Sequence, residues 1–374
     1  MASSQTYPRL DVNLDAMEQN ARAICALCGK QGIRVAGVIK FSDGSIPVAR
    51  AYASGGCAQI AVSRAVHLGP IKTALPGMET MLIRIPMLSE METVARDCDI
   101  VLISEKDSLI ALDDAAARLG TCPGVVLMLD VGDLREGVTD IGDLCALASF
   151  AEAELKHLRL RGVGTGFACM SGVLPDPEKL NLLAEAARRV ERVIGRKLDI
   201  VSGGSSIDLP LLMSGVKFPP EINHLRVGGV IANPCSIRVN RGVIFPGTRE
   251  DTVTLSAEVV EVQTKRSCPP DGGGKNWSGE TVQMVDRGMR RRAILALGSQ
   301  DIGDAAKLIP LCPGVSVVGC SSDHTVLDVT DSAEDWRVGR TVSFRMLYPP
   351  LLCAFSTRHV EICYRGTIRN KTDL

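Results

Sequence analysis

Between residues 34 and 231, short apolar runs alternate with longer segments whose apolar residues recur at helical spacing. The runs occupy 34–40, 59–63, 80–86, 100–104, 124–130, 158–167, 197–203 and 224–231. Stretches 15–30 and 178–194 are the clearest amphipathic helices between or beside them. Eight strands, each followed by a crossover, predict an α/β fold with a (β/α)8 TIM-like barrel. An open doubly wound sheet fits less well, because no GxGxxG follows the first run.

The pattern changes after about residue 250. Stretch 252–262 approximates strand alternation, and strand-like runs follow at 292–297, 315–319, 325–330, 341–347 and 359–364. No long amphipathic helix is evident there. The expected organisation is a barrel over 1–250 and a mostly β domain over 251–374. Segment 265–279, rich in glycine and proline, reads as an exposed, mobile loop.

Composition narrows the function classes. Lys+Arg 42 against Asp+Glu 43 gives a net charge of -1, so no electrostatic case exists for nucleic acid or an anionic membrane. Aromatics at 3% leave few rings for base stacking. No segment approaches the roughly 20 apolar residues of a membrane span, and the N-terminus lacks the regions of a signal peptide. Thirteen cysteines, an odd and scattered number, fit small core residues in a reducing cytoplasm rather than a disulfide framework. Cys25 and Cys28 form a CxxC inside a helical pattern with no second pair, so no metal site is expected.

Barrel enzymes keep their chemistry at the C-terminal ends of the strands, with phosphate often held after the seventh and eighth. The first run ends in Lys40, and a lysine placed there can form an imine with an aldehyde cofactor. It can equally end a strand merely to reach water. The seventh run ends Ser202-Gly203-Gly204-Ser205-Ser206, small residues that let backbone N–H groups approach an anion. The eighth contains Arg226-Val227-Gly228-Gly229, beside the first strand once the barrel closes. After the fifth run, Arg135 suits a carboxylate ligand through paired hydrogen bonds; a salt bridge with Asp133 or Glu136 explains it as well. Phosphate, carboxylate and an imine-forming lysine together describe pyridoxal phosphate acting on an amino acid.

The chain resembles the alanine racemases and their fold-type III relatives, and among them the ornithine racemase-type branch. The resemblance rests on Pro8 to Asn20, Val38-Ile39-Lys40, Leu127 to Gly137, Val201 to Ser206, Leu225 to Gly229, Asp286 to Gly298 and Ser321 to Asp331, in the family's order. It implies that Lys40 carries pyridoxal 5'-phosphate and acts as a base on the substrate carbon. It also implies that Arg226 faces the ring nitrogen and that Ser205, Ser206, Gly228 and Gly229 hold the phosphate. Tyr348 stands where the family has a late tyrosine near that phosphate, though a core tyrosine is an alternative. The resemblance further implies an amino-acid substrate (ornithine, lysine, alanine or similar) and a homodimer in which one β domain completes the other subunit's site.

Two positions depart from the alanine racemases. Ser299 stands in place of the tyrosine that serves as their second base. Asp323, His324, Cys169 and Cys320 are the candidates to replace it, although His324 can equally be a surface imidazole. Gly166 replaces a histidine beside the cofactor ring, which predicts a wider pocket. A fold-type III D-hydroxyamino-acid aldolase or dehydratase and a non-catalytic pyridoxal-phosphate carrier are the competing readings. The first lacks a metal-ligand pair at proper spacing, and the second does not need a β domain.

Overall fold

The computed structural model describes residues 6–271, 274, 275, 279, 281 and 285–367. The described residues divide into two compact units, one of residues 14–250 with 366 and 367, the other of residues 6–13 with those of 251–365.

The larger unit is a closed barrel of eight parallel strands: β2 (Arg34–Val38), β3 (Gln59–Val62), β4 (Glu79–Leu82), β5 (Ile100–Ile103), β6 (Gly124–Met128), β7 (Arg159–Gly164), β8 (Ile200–Ser205) and β9 (His224–Val227). All eight sequence runs are strands. Residues Arg34 to Gly37 of β2 register with His224 to Val227 of β9, which closes the ring. Strands β3, β5 and β6 are buried throughout, because helices cover their outer face while other strands cover the inner one. Alternate residues fill the interior: Ala36, Val38, Ala61, Met81, Ile100, Leu102, Val126, Met128 and Ile200 form one apolar cluster.

The surrounding helices begin and end on local chemistry. Helix Pro177–Ile194 has Asp176 accepting from the Lys179 N–H at its start, proline in its first turn, and Gly195 in the left-handed region at φ 73° past its end. At the N-terminal face of the barrel the charges pair among themselves. Arg161 meets Glu79 at 3.0 Å, Arg159 meets Asp199 at 2.9 Å and Lys72 meets Asp99 at 2.6 Å.

The smaller unit is a β structure with strand order β12 (Leu308–Pro310), β15 (Thr341–Met346), β10 (Val253–Arg266), β11 (Met289–Ala296), β14 (His324–Asp328), β13 (Ser316–Cys320). Strand β1 (Arg9–Asn13) pairs antiparallel with β10 and parallel with β16 (Glu361–Arg365). Residues 6–13, expected with the barrel, therefore belong to the β unit. The chain enters there before crossing to the barrel. A nine-residue helix, Tyr348–Ser356, also interrupts the expected run of strands. Segment 265–279 begins within β10, and its residues 272, 273 and 276–278 lie outside the described residues.

Candidate active site

Strand β2 stops at Val38, and Lys40 opens a short 3-10 turn, Lys40–Ser42. The Ile39 N–H still bonds the Ala61 carbonyl at 2.9 Å, so the ladder holds the backbone to within one residue of the lysine. Ile39, Phe41 and Ser42 are buried, and the Ser42 hydroxyl donates to the Ile39 carbonyl at 2.9 Å. Lys40 itself is exposed, and no described residue forms a hydrogen bond or ion pair with its ammonium. Its backbone is clamped while its side chain is free, as a covalent attachment point requires.

Next to this turn lies the end of β9. A Cβ on Gly228 would stand 2.5 Å from the Val38 carbonyl oxygen and 2.9 Å from the Val38 Cβ, so only glycine fits. The Tyr52 hydroxyl, fully buried, donates to the Gly228 carbonyl at 3.3 Å. Two backbone N–H groups, of Gly228 and Val230, converge on the Ser206 hydroxyl oxygen at 3.3 and 3.5 Å. Converging amides of this kind, beside a hydroxyl and glycines, are what an anionic phosphate needs. Ser205 contributes differently. Its N–H donates to the buried Asp208 carboxyl at 2.6 Å, which fixes the turn that carries Ser206. Gly204, at φ 135°, leaves no space for a Cβ against that carboxyl. Burial pushes the Asp208 carboxyl up to about 8 against the pull of its Ser205 bond and of Arg226.

Arg226 is 6% exposed and held from two sides. One guanidinium nitrogen donates to the Ser202 hydroxyl and another to the Thr165 carbonyl at 2.7 Å. Since arginine only donates, the Ser202 oxygen accepts from Arg226, and the same oxygen bonds His224 Nδ1 at 2.9 Å. His224, wholly buried, is a neutral imidazole. Burial, with Arg226 adding to it, lowers its pKa to about 3. Burial also lowers the Arg226 pKa, against the charges of Glu136 and Asp208. Of this relay Arg226 was a candidate from the sequence, whereas His224 was not. Its signal was present in β9, where His224 and Arg226 are polar at alternate positions of an otherwise buried strand.

The loop after β6 folds back on itself, and Leu129 bridges to Val138. In it, Arg135 Nε and Nη2 meet the two oxygens of Glu136 at 2.6 and 2.7 Å, and Asp133 lies 3.7 Å from Nε. The salt-bridge reading of Arg135 therefore holds in this structure. Asp133 is occupied elsewhere: it accepts from the N–H groups of Cys169 (3.2 Å) and Ser171 (3.3 Å), and from the Ser171 hydroxyl (3.0 Å). It ties this loop to the one after β7. A Cβ on Gly166 would meet Arg135 Nη2 at 3.4 Å and Glu136 Oε1 at 3.9 Å. This ion pair therefore borders the position where Gly166 lacks a side chain.

The remaining candidates lie on both units. Cys169 is exposed on the barrel unit. In the β unit, Asp323 accepts from Gln300 Nε2 at 2.7 Å, His324 is exposed at the start of β14, and Cys320 ends β13. Ser299 opens a short helix whose first N–H bonds the Ser321 carbonyl at 2.9 Å, so the two motifs adjoin. Tyr348 is half-buried at the start of its helix. Cys25 of the CxxC lies 3.9 Å from Cys57 and not against a metal-binding cluster. Among the described residues, no group of three or more His, Cys, Asp or Glu side chains is placed to hold a metal. No described helix is long and apolar enough to cross a membrane.

Residues 12–232 match the alanine racemase N-terminal domain family. The chain is 36% identical to lysine racemase of Thermotoga maritima over 362 residues, 97% of this chain and 99% of that protein. It is 33% identical to ornithine racemase of Acetoanaerobium sticklandii over 356 residues, 95% and 99% of the two. Alanine racemase of Streptomyces lavendulae shares the fold, with a TM-score of 0.72 at 19% identity over 98% of this chain and 99% of that one. D-threonine aldolase of Filomicrobium marinum shares it too, at 0.71 and 17% over 93% and 88%. The chain belongs to the alanine racemase family and is an amino-acid racemase.

Proposed function

We propose that this racemase binds pyridoxal 5'-phosphate through Lys40 and interconverts the L and D forms of a diamino acid such as lysine or ornithine. The observation that carries the cofactor reading is the juxtaposition of Lys40 with the Gly228 contact on Val38, at the strand ends where Arg226 is also anchored. The two relatives named for lysine and ornithine suggest the substrate class.

When bound, pyridoxal phosphate weakens the bond between an amino acid's α-carbon and its hydrogen. The protein's own groups then decide the outcome. Lys40 takes or returns the α-proton on one face. Arg226 would face the ring nitrogen, and because a guanidinium does not give up its proton readily, it would leave that nitrogen largely unprotonated. This disfavours transamination. Ser206, Gly228 and Gly229 would hold the phosphate, with Ser205 supporting the turn and Tyr348 assisting. Arg135 takes the substrate carboxylate. The second base is one of Cys169, Asp323, His324 and Cys320, and a cytoplasmic homodimer completes the reading.

The test is a panel of amino acids incubated in deuterated water with the cofactor-loaded protein. Loss of optical activity together with α-deuterium on lysine or ornithine is the expected result. Metal-dependent release of glycine or ammonia would replace this reading with aldolase or dehydratase chemistry. Cofactor absorbance without any exchange would replace it with a carrier role.

A further inference from the structure

The CxxC in the helix Leu14–Gly29 takes no part in the site at the strand ends. Its first cysteine, Cys25, is partly exposed and lies 3.9 Å, sulfur to sulfur, from the buried Cys57. Two glycines bring the helix that close. A Cβ on Gly55 would stand 2.3 Å from the Ala21 Cβ, and one on Gly56 would stand 3.8 Å from the Cys25 Cβ. Hydrogen bonding with the Cys57 thiol lowers the Cys25 pKa against the cost of burial. The same bond, together with burial, raises Cys57 well above the ordinary thiol range. Cys25 is therefore the more readily ionised partner and the nucleophile of the pair. Burial pushes the Cys28 pKa up to about 12, so the second cysteine of the motif stays a thiol.

Cys57 leads from this pair toward the strand ends. A Cβ on Gly37, in β2, would stand 2.9 Å from the Cys57 sulfur and 2.7 Å from the Tyr52 ring. Those two side chains fill the space that Gly37 leaves. The Tyr52 ring lies 6.4 Å from that of Phe41, next to Lys40, and its hydroxyl bonds the Gly228 carbonyl at 3.3 Å. A disulfide needs its sulfurs at about 2.05 Å. The helix already rests on the Gly55 turn and has no room to advance, so the closing movement falls on Cys57. That movement opens a gap beside the Tyr52 ring, and a tightly packed core gives way around a gap. We infer that Cys25 and Cys57 form a thiol switch, in which joining their sulfurs loosens the Gly228 end of the barrel. The oxidant is a hydroperoxide. Cys25, as its thiolate, takes the terminal oxygen as the O–O bond breaks, giving a sulfenic acid, while its proton leaves with the alcohol or water. The Cys57 sulfur then bonds the Cys25 sulfur and expels that oxygen as water, which carries away the Cys57 proton. Two electrons pass from the two sulfurs to the peroxide, and a dithiol returns them.

Any effect on the cofactor rests on the reading of Lys40 and Gly228 proposed above, whereas the disulfide does not. The test treats wild-type protein with hydrogen peroxide, alkylates the remaining thiols and maps tryptic peptides without reduction. The expected product joins peptide 23–30 to peptide 51–64, with fragment ions placing the bond on Cys25 and Cys57. Oxidation is expected to speed amide hydrogen exchange at Gly228 and to weaken pyridoxal-phosphate binding, each at least about tenfold, with dithiothreitol restoring both. Cys25→Ser under the same treatment should show neither change. A bond on other cysteines, or none, would overturn the inference, as would a Cys25–Cys57 bond that leaves exchange at Gly228 unchanged. These wild-type measurements decide the matter even if Cys25→Ser fails to fold. Reduced protein that binds no pyridoxal phosphate would overturn the cofactor reading, while exchange at Gly228 would still decide the switch.

Discussion

Gly228 and Val38 touch so closely that a single methyl group at position 228 would overlap the Val38 carbonyl oxygen, 2.5 Å away. This contact joins the end of β9, with its converging amides, to the strand that leads into Lys40. Gly228→Ala must therefore push the cradle away from the lysine. Overpacking of this kind costs roughly 1–3 kcal/mol, and cofactor affinity is expected to fall at least tenfold. Gly29→Ala, at the end of the helix Leu14–Gly29 that precedes β2, is the control, since its Cβ would meet nothing within 4 Å. Cofactor titration with thermal melting of both variants checks the contrast.

Ser202 stands between two buried groups that depend on it. Ser202→Ala leaves one Arg226 donor and His224 Nδ1 without partners, which is expected to cost about 1–3 kcal/mol in a urea melt. The freed arginine should also shift the absorbance of the bound cofactor, which a loss of packing alone would not do.

Asp208 and His224 give the fold opposite pH dependences. In the folded chain Asp208 keeps its proton up to about 8, whereas its ordinary value is 3.8. Its contribution is complete below that ordinary value and is lost as pH rises toward 8. His224 stays neutral down to about 3 against an ordinary 6.5, so its contribution is complete above 6.5 and is lost as pH falls toward 3. Urea midpoints measured from about pH 5 to pH 8 should fall less in Asp208→Asn than in the wild type.

Asp133 gathers the loop after β7 onto the loop after β6. Asp133→Ala removes the acceptor shared by the Cys169 and Ser171 amides. Hydrogen exchange at these two amides should speed up at least tenfold, with little change in the barrel strands. Unchanged protection there would show that the loop is held by something else.

The barrel was legible because its strands are covered on both faces and so read as continuous apolar runs, as in Ile100–Ile103. The positions of Lys40 and Gly228 at strand ends were legible because the apolar runs of β2 and β9 stop there. Strand β1 was not, because its partners, Ser256 opposite Arg9 and Glu361 beside it, lie far down the chain and leave no local signal. The Tyr348–Ser356 helix is apolar around much of its circumference and has two prolines in its first turn, so it shows little helical periodicity. The arrangement at Arg135 was half legible. Sequence spacing allowed either a ligand contact or a salt bridge, and only the coordinates put both Glu136 oxygens on the guanidinium.

The central claim is that Lys40 is the residue that carries the cofactor. Borohydride reduction of the pyridoxal-phosphate-loaded protein fixes the cofactor permanently on its lysine, and peptide mass mapping then locates it. The account predicts a pyridoxyl group on Lys40, in the peptide containing Val38-Ile39-Lys40, and its loss in Lys40→Ala. A label on another lysine, or none after reduction of the loaded wild-type protein, would contradict it.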